Sequence, residues 1–156
     1  MDRVALEILR QGLKQDGTVI AQAAALAKQR LEEANPGSAE ACGYELHRLY
    51  NVLEKSFERV CEAFENHFEK RGDYHERLIE RMTLDLPAIR PAFLPLAARD
   101  VVRELKAFRH LIRHAYDLQL RADRLAELAS IAAGVSAQFP MWIEGFAARA
   151  AAGFDE

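Results

Sequence analysis

The stretch LHRLYNVLEKSFERVCEAFENHF, residues 46–68, carries the clearest structural signal in the chain. Its apolar side chains recur every three or four residues, the spacing that places them on one face of an α-helix. These residues are Leu46, Leu49, Leu53, Phe57, Val60, Phe64 and Phe68. The stripe runs for about six turns of roughly 3.6 residues each. It predicts a long helix with one side in a hydrophobic core.

Helix-breaking segments on both sides of this stretch mark the neighbouring helices. Residues 2–33 have helical spacing and end at the NPGS segment of residues 35–38, and Gly17 predicts a bend or fraying within them. After the stretch, the RGD sequence at 71–73 separates a short third helix. That helix contains Tyr74, Leu78 and Met82.

The second half of the chain begins with LDLPAIRPAFLP, residues 84–95, whose three prolines exclude a continuous helix. A fourth helix is expected over residues 96–118 and a fifth over 121–133. After Gly134, a last helix is expected to open at Pro140, because proline suits the first helical position. No segment alternates like a strand. The pattern predicts an all-α, up-and-down helical bundle of five to six helices.

Composition narrows the class of protein. The chain has 156 residues, half of them hydrophobic, which predicts a single domain over residues 1–156. A net charge of -3 argues against a protein that coats nucleic acid indiscriminately. Residues 99–124 nevertheless carry seven Lys and Arg against four Asp and Glu, a local charge of +3. This region is either the polyanion-facing surface or a solvated helix face of mixed charge.

Cysteine content and hydropathy predict a cytoplasmic protein. Cys42 and Cys61 are too few for a disulfide framework and do not have the spacing of a zinc motif, so reduced thiols are expected. No apolar run approaches the roughly 20 residues of a membrane helix. The N-terminal sequence MDRVALEILRQ contains acidic residues where a signal peptide is hydrophobic.

The five histidines do not predict a metal site or a cofactor. Bundle metal sites use a Glu three residues before a His, and no histidine here has one. His110 and His114 are four residues apart, but the interleaved Arg109 and Arg113 would repel a cation.

The segment FRHLIRHAYDLQ, residues 108–119, places ionisable groups in a helix otherwise typical of a core. On a wheel of about 100° per residue, Arg109 falls within about 40° of Leu105 on the packing side, and His114 lies about 180° from Leu105. On a straight helix the two side chains cannot easily reach one small group. We therefore expect a homodimer whose fourth helices line a shared cleft. The alternative is an exposed His and an Arg that extends along the surface to solvent.

Arg109, His114 and Tyr116 form the pattern R-x4-H-x-Y. This pattern resembles the signature of HepT toxins, which belong to the HEPN group of helical ribonucleases. His110 is a departure, because many members of the family carry Asn or Asp directly after the Arg.

Longer blocks extend this resemblance. HERLIERM at 75–82, IRPAFL at 89–94 and FRHLIRHAY at 108–116 are similar to blocks of HepT-like proteins in the same order. The likeness covers the second half of the chain well and the first half only as a helical pattern.

The resemblance implies a metal-independent endoribonuclease that cleaves cellular RNA, with tRNA as the expected target. An imidazole with a pKa near about 6.5 can move the proton of the RNA 2′-hydroxyl at neutral pH, and a guanidinium can bind the phosphate through two hydrogen bonds. His114 is accordingly assigned as general acid-base and Arg109 as phosphate ligand. Arg113 and His110 are secondary contacts, and His110 can share in acid-base work.

The resemblance also implies a partner. HepT-like toxins are paired with a small MntA-like nucleotidyltransferase antitoxin that transfers AMP to the signature tyrosine, here Tyr116. Plain packing is the alternative role for Tyr116. In a hypothesis of a different class, the chain is a noncatalytic, substrate-binding partner of a small nucleotidyltransferase.

Overall fold

The computed structural model describes residues 1–65, 69–114 and 119–153, and for His114 it describes the backbone alone. Five α-helices are present in these ranges: α1 (Arg3–Glu33), α2 (Ser38–Glu65), α3 (Tyr74–Met82), α4 (Arg99–His114) and α5 (Ala122–Ala152). Apart from one isolated antiparallel bridge between Leu86 and Arg90, the described ranges contain no β-structure. The predicted all-α helical bundle is confirmed.

Local signals set both ends of α1. The Asp2 carboxylate accepts a hydrogen bond of 2.7 Å from the Ala5 backbone N–H, which satisfies one of the free donors of the first turn. At the other end, Ala34 adopts the left-handed conformation with φ of 52°. Gly37, with φ of 88°, then completes the turn into α2.

Side-chain pairs connect α1 to both long helices beside it. Toward α2, Arg59 Nε donates to Asp16 Oδ2 over 3.2 Å. Toward α5, Arg10 Nη2 lies 2.8 Å from Glu144 Oε2. The three long helices thus form a layer against which the shorter α3 and α4 pack.

The proline-rich connection of residues 84–95 is irregular, as predicted, but it also supplies the centre of the core. Phe93 is buried, and its ring makes edge-to-face contacts with rings from α2 and α5. These contacts, with ring centroids 5.4 to 6.1 Å apart, involve Phe57, Phe139 and Phe146. The connection is therefore anchored in the core.

The prediction of separate fifth and sixth helices was wrong, because α5 continues through both Gly134 and Pro140. Its buried residues form one continuous face: Leu125, Leu128, Ala129, Ala132, Val135, Phe139, Trp142, Ile143, Phe146, Ala147 and Ala150. Pro140 is exposed, so the carbonyl that loses its intrahelical partner lies on the solvent side. Burial along this face outweighs the local cost of the proline.

The smaller predictions about helix continuity and helix ends have different outcomes. α1 continues without a break through Gly17, so no fraying occurs there, and the glycine lies against the Phe139 ring. The fourth helix begins at Arg99, because Leu96–Ala98 form a 3-10 turn after Pro95. Its expected last turn, residues 115–118, lies outside the described residues, as does Phe68.

Both cysteines are buried free thiols, as expected. Burial raises the pKa of Cys42 and of Cys61 to about 11, so neither is a ready nucleophile at neutral pH. In the parts of the chain that the structure describes, no helix combines the length and apolar character needed to cross a membrane.

Candidate active site

The Arg109 side chain extends from α4 onto α2, on the packing side where the helical wheel places it. Its Nε donates a hydrogen bond of 2.6 Å to Asn51 Oδ1. Its guanidinium carbon lies 5.8 Å from the centre of the Tyr50 ring, within cation–π distance. The side chain is only 13% exposed. α2 therefore holds the guanidinium through Nε and leaves the Nη groups as hydrogen-bond donors.

A buried carboxylate connects this arginine to α3. Glu54, whose side chain is 9% exposed, places Oε1 4.0 Å from Arg109 Nη2 and Oε2 2.6 Å from His75 Nδ1. Burial and the adjacent Glu54 raise the pKa of the Tyr50 hydroxyl, so Tyr50 is neutral at physiological pH. Glu54 provides the negative charge between two basic side chains from different helices.

A neutral imidazole completes the network on the other side of Asn51. The Asn51 amide donates to His47 Nε2 over 2.9 Å, which leaves Oδ1 to accept from Arg109. Burial, followed by the charges of Arg109 and Arg113, lowers the pKa of His47 below its ordinary value of 6.5. A neutral His47 keeps the lone pair that accepts from Asn51. His47 thus orients the Asn51 amide, and Asn51 in turn orients the Arg109 guanidinium.

Beside this network, α3 and α4 enclose a cavity of about 390 Å³. It is lined by Asp73, His75, Glu76, Lys106, Ala107, Arg109, His110 and Arg113. Glu76 bonds Lys106 and also lies 2.5 Å from Arg103, which lowers the pKa of the Glu76 carboxyl. Arg113 is exposed and has no ion pair with the described residues. Among the cations of this cavity, Arg109 and Arg113 are the least neutralised by neighbouring carboxylates. They are therefore the side chains expected to bind an anion in the cavity.

A larger cavity, of about 600 Å³, lies between the 85–91 loop and the end of α5. Its arginines are already engaged, because Arg90 pairs with Glu65 and Arg149 donates to the Ala92 carbonyl. No histidine lines it. The smaller cavity has both the cations and the titratable groups that acid-base chemistry needs.

The structure brings Arg109, His110 and Arg113 of the predicted site to one cavity wall. The backbone of His114 ends α4, one turn after His110. The side chain of His114 and all of Tyr116 lie outside the described residues. Within those residues, no group of three or more His, Cys, Asp or Glu side chains is placed to hold a metal ion.

Sequence reasoning missed the four residues that hold the site together: Tyr50, Asn51, Glu54 and His75. Beside the apolar stripe of α2 lies a second stripe, in which polar groups recur at positions 47, 50, 51 and 54. That helical spacing indicates a polar face on α2. His75 was considered only as a metal ligand, and its pairing with Glu54 depends on how α3 packs.

A comparison with protein families gives one match, to the sequence model of a family described as HepT-like protein, over residues 41–150. The chain belongs to this HepT-like family. The HepT-like match covers more than two thirds of the chain and includes Arg109 together with its partners on α2 and α3. Searches of curated proteins and of solved structures returned no significant match.

Proposed function

We propose that this HepT-like protein is a metal-independent endoribonuclease that cleaves cellular RNA, with tRNA as the substrate class, and that it is the toxin of a HEPN/MNT toxin–antitoxin pair. The observation that supports this most strongly is the fixed guanidinium of Arg109. It lies on a cavity with other cations, five residues before His114 in the R-x4-H-x-Y pattern.

The chemistry follows from what RNA already carries. The 2′-hydroxyl attacks the adjacent phosphorus, and His114 takes its proton as general base. Arg109 binds the phosphate oxygens through its Nη groups and stabilises the charge that builds on them. Because Asn51 and Glu54 hold the guanidinium before substrate binds, little reorganisation is needed in the transition state. The products carry a 2′,3′-cyclic phosphate and a 5′-hydroxyl.

Two neighbouring residues bind the RNA backbone in this proposal. Arg113 is exposed on the cavity wall and contacts a phosphate next to the cleaved one. His110 occupies the position after the signature Arg, where many HepT-like proteins carry Asn or Asp, and shares in substrate contact. A twofold homodimer brings a second α4 to the cleft, so that one chain's Arg109 works with His114 of the other.

Regulation acts through Tyr116 in the same proposal. An MntA-like nucleotidyltransferase antitoxin transfers AMP from ATP to the tyrosine hydroxyl and releases pyrophosphate. The added nucleotide is anionic, so it occupies the phosphate site at Arg109 and repels RNA.

The ribonuclease proposal is tested by incubating the purified protein with total tRNA in EDTA. We expect cleavage by the wild type. Arg109→Ala and His114→Ala should each abolish it, and Arg109→Lys should lower it at least about 100-fold, because lysine lacks the fork that binds Asn51 and phosphate together. Lys28→Ala, on the exposed side of α1, is the matched control for removal of a cation and should retain full activity.

Circular dichroism of each variant separates lost chemistry from lost fold. Unchanged cleavage by a folded Arg109→Ala or His114→Ala protein would contradict the assigned roles. tRNA binding without any cleavage by the wild type would instead support the noncatalytic, substrate-binding partner of a nucleotidyltransferase.

The switch is tested by co-incubation with the cognate nucleotidyltransferase, ATP and magnesium. Intact-mass and peptide mass spectrometry should find AMP on Tyr116 and silenced cleavage. Tyr116→Phe should cleave RNA and escape silencing. AMP confined to other residues, or a Tyr116→Phe protein that is still fully silenced, would refute the proposed switch.

A further inference from the structure

We propose that His75, oriented by Glu54, is a second catalytic residue that donates the proton to the 5′-oxygen when the RNA chain breaks. This inference rests on the proposed ribonuclease function and deepens it. Cleavage by a 2′-hydroxyl requires one proton to be removed and another to be delivered, at opposite sides of the phosphorus. In each chain, the signature pattern contributes one histidine, His114, to these two transfers.

The geometry around His75 fits a proton donor. Its Nδ1 lies 2.6 Å from Glu54 Oε2, and the carboxylate is almost fully buried. A buried carboxylate on one ring nitrogen fixes the orientation of an imidazole. The other nitrogen, Nε2, makes no hydrogen bond with the described part of the chain, and 37% of the side chain is exposed. Glu54 thus holds Nδ1 of His75, and Nε2 is available to contact a ligand.

The same carboxylate brings His75 to the phosphate site. Glu54 lies between His75 and Arg109, 2.6 Å from the first and 4.0 Å from the second, and both basic side chains line the 390 Å³ cavity. A phosphate bound by Arg109 in this cavity therefore lies close to the exposed edge of the His75 ring. α3 thus contributes His75 to the cavity from outside the signature helix.

His47 fits this role less well. His47 already accepts from Asn51 through Nε2 and is held neutral beside Arg109 and Arg113. His110 also lines the cavity, and the substrate experiment described below tests it as an alternative donor. His75 combines a buried carboxylate partner with a partly exposed side chain on the cavity.

The step balances as follows. His114 takes the proton of the 2′-hydroxyl as the O2′–P bond forms. The P–O5′ bond breaks, its electron pair goes to O5′, and the Nε2 proton of His75 transfers to that oxygen. One RNA product ends in a 2′,3′-cyclic phosphate and the other begins with a 5′-hydroxyl. The neutral His75 is reprotonated from solvent while His114 loses its proton, which restores the enzyme.

A sulfur substitution in the substrate tests this role directly. The probe is a short RNA that spans a site cleaved in total tRNA, prepared with the ordinary linkage or with sulfur in place of the bridging 5′-oxygen. A thiolate leaves without protonation, so this linkage does not need a general acid. The variants are His75→Asn, whose amide replaces Nδ1 as donor to Glu54, and His75→Gln as a second replacement that cannot transfer a proton.

We expect both His75 variants to cleave the ordinary linkage at least about 100-fold more slowly than the wild type. Both should cleave the sulfur linkage at the wild-type rate. His114→Ala should be impaired on both substrates, because the 2′-hydroxyl still needs a base. Rescue by sulfur separates proton donation from a structural role, since a distorted site would lose activity on both linkages.

The outcomes separate the two proposals. If the wild type cleaves RNA and the folded His75 variants cleave the ordinary linkage equally well, His75 is not the proton donor and the ribonuclease proposal stands. Impairment of the His75 variants on both linkages, or sulfur rescue of His110→Ala or His114→Ala in their place, also overturns the assignment. If the wild type cleaves neither substrate, the proposed function fails and this inference fails with it.

Discussion

The side chain of Arg109 has lost most of its contact with water, and residues of α2 replace that hydration. A buried guanidinium is costly unless it is paired and hydrogen-bonded. Asn51 supplies the hydrogen bond, Glu54 the opposite charge and Tyr50 an aromatic face. The residues of this network depend on one another, because the hydrogen bond to His47 orients the Asn51 amide, and the oxygen of that amide accepts from Arg109.

The titration of His47 gives a prediction at this scale. Its pKa in the folded protein is below 6.5, so the unfolded chain binds a proton more readily than the folded one. The stability that depends on neutral His47 is present above pH 6.5 and is lost as pH falls from there toward the lowered pKa. We expect the free energy of unfolding to fall between about pH 7.5 and about pH 5.5.

His47→Gln is the matched variant, because its side-chain oxygen can accept from Asn51 but does not titrate in this range. Urea unfolding followed by circular dichroism should show a smaller loss of stability on acidification for this variant than for the wild type. Carboxyl groups titrate in both proteins and so cancel in the comparison. Equal losses would show that the folded pKa of His47 is not lowered.

At the scale of single helices, α5 shows how packing overrides local preference. Proline in a helix interior removes one backbone donor and costs about 3 kcal/mol, and glycine costs about 1 kcal/mol relative to alanine. α5 contains both at exposed positions and still continues for 31 residues. Its buried side chains, from Leu125 to Ala150, belong to the hydrophobic core, so the gain from burial is spread over many turns.

A pair of glycine substitutions tests this account of α5. Gly134 is exposed in mid-helix, and a Cβ there meets nothing within 4 Å, so Gly134→Ala should raise the free energy of unfolding by about 0.5–1 kcal/mol. Gly17→Ala is the matched control in α1. Its Cβ would lie 3.1 Å from the Phe139 ring, so the same gain in helix propensity is offset by crowding.

Urea denaturation measures both variants. A gain for Gly134→Ala without a gain for Gly17→Ala is the expected result. If Gly134→Ala brought no gain, the two halves of α5 would behave as separate helices, as sequence reasoning had proposed.

At the scale of the whole molecule, the 84–95 connection sets the arrangement of α3 and α4 around α2. Arg90 is 0% exposed and its Nη2 lies 2.7 Å from Glu65 Oε1, where the glutamate side chain is 4% exposed. Arg90 also donates to three backbone carbonyls, those of Arg81, Leu84 and Pro91. One side chain thus connects the end of α2, the end of α3 and the connection that leads to α4.

Removal of this arginine should therefore be costly. Arg90→Met leaves the buried Glu65 paired with Arg81 alone and removes the donor from four acceptors, and we expect a loss of about 3–5 kcal/mol in the free energy of unfolding. Arg124→Met, at a half-exposed ion pair with Glu127, is the control and should change stability by no more than about 0.5 kcal/mol. Thermal and urea unfolding give both values. A small effect at Arg90 would mean that the connection is held by its apolar residues alone.

The homodimer is a further prediction at this scale. Light scattering at protein concentrations on the order of micromolar should give the mass of two chains. A dimer lets Arg109 and His114 from different chains meet in one cleft, which a single straight helix does not allow. The mass of one chain at all concentrations would rule out a site shared between chains.

The sequence by itself determined the features that depend on neighbours along the chain. Periodicity located α2 and α3, the prolines marked the irregular connection, and the helical wheel placed Arg109 on the packing side of α4. Each of these depends on residues within a few turns of one another, where helical geometry relates position in sequence to position in space.

Only the tertiary structure decided the features that join distant segments. α5 passes through Gly134 and Pro140 because its buried face contacts residues distant in sequence, such as Gly17 in α1 and Phe64 in α2. The pairing of Glu54 with His75 and the support of Arg109 by Asn51 bridge 21 and 58 residues. Such contacts depend on how whole helices pack, and the cost of burying their charges is met only when all partners are in place.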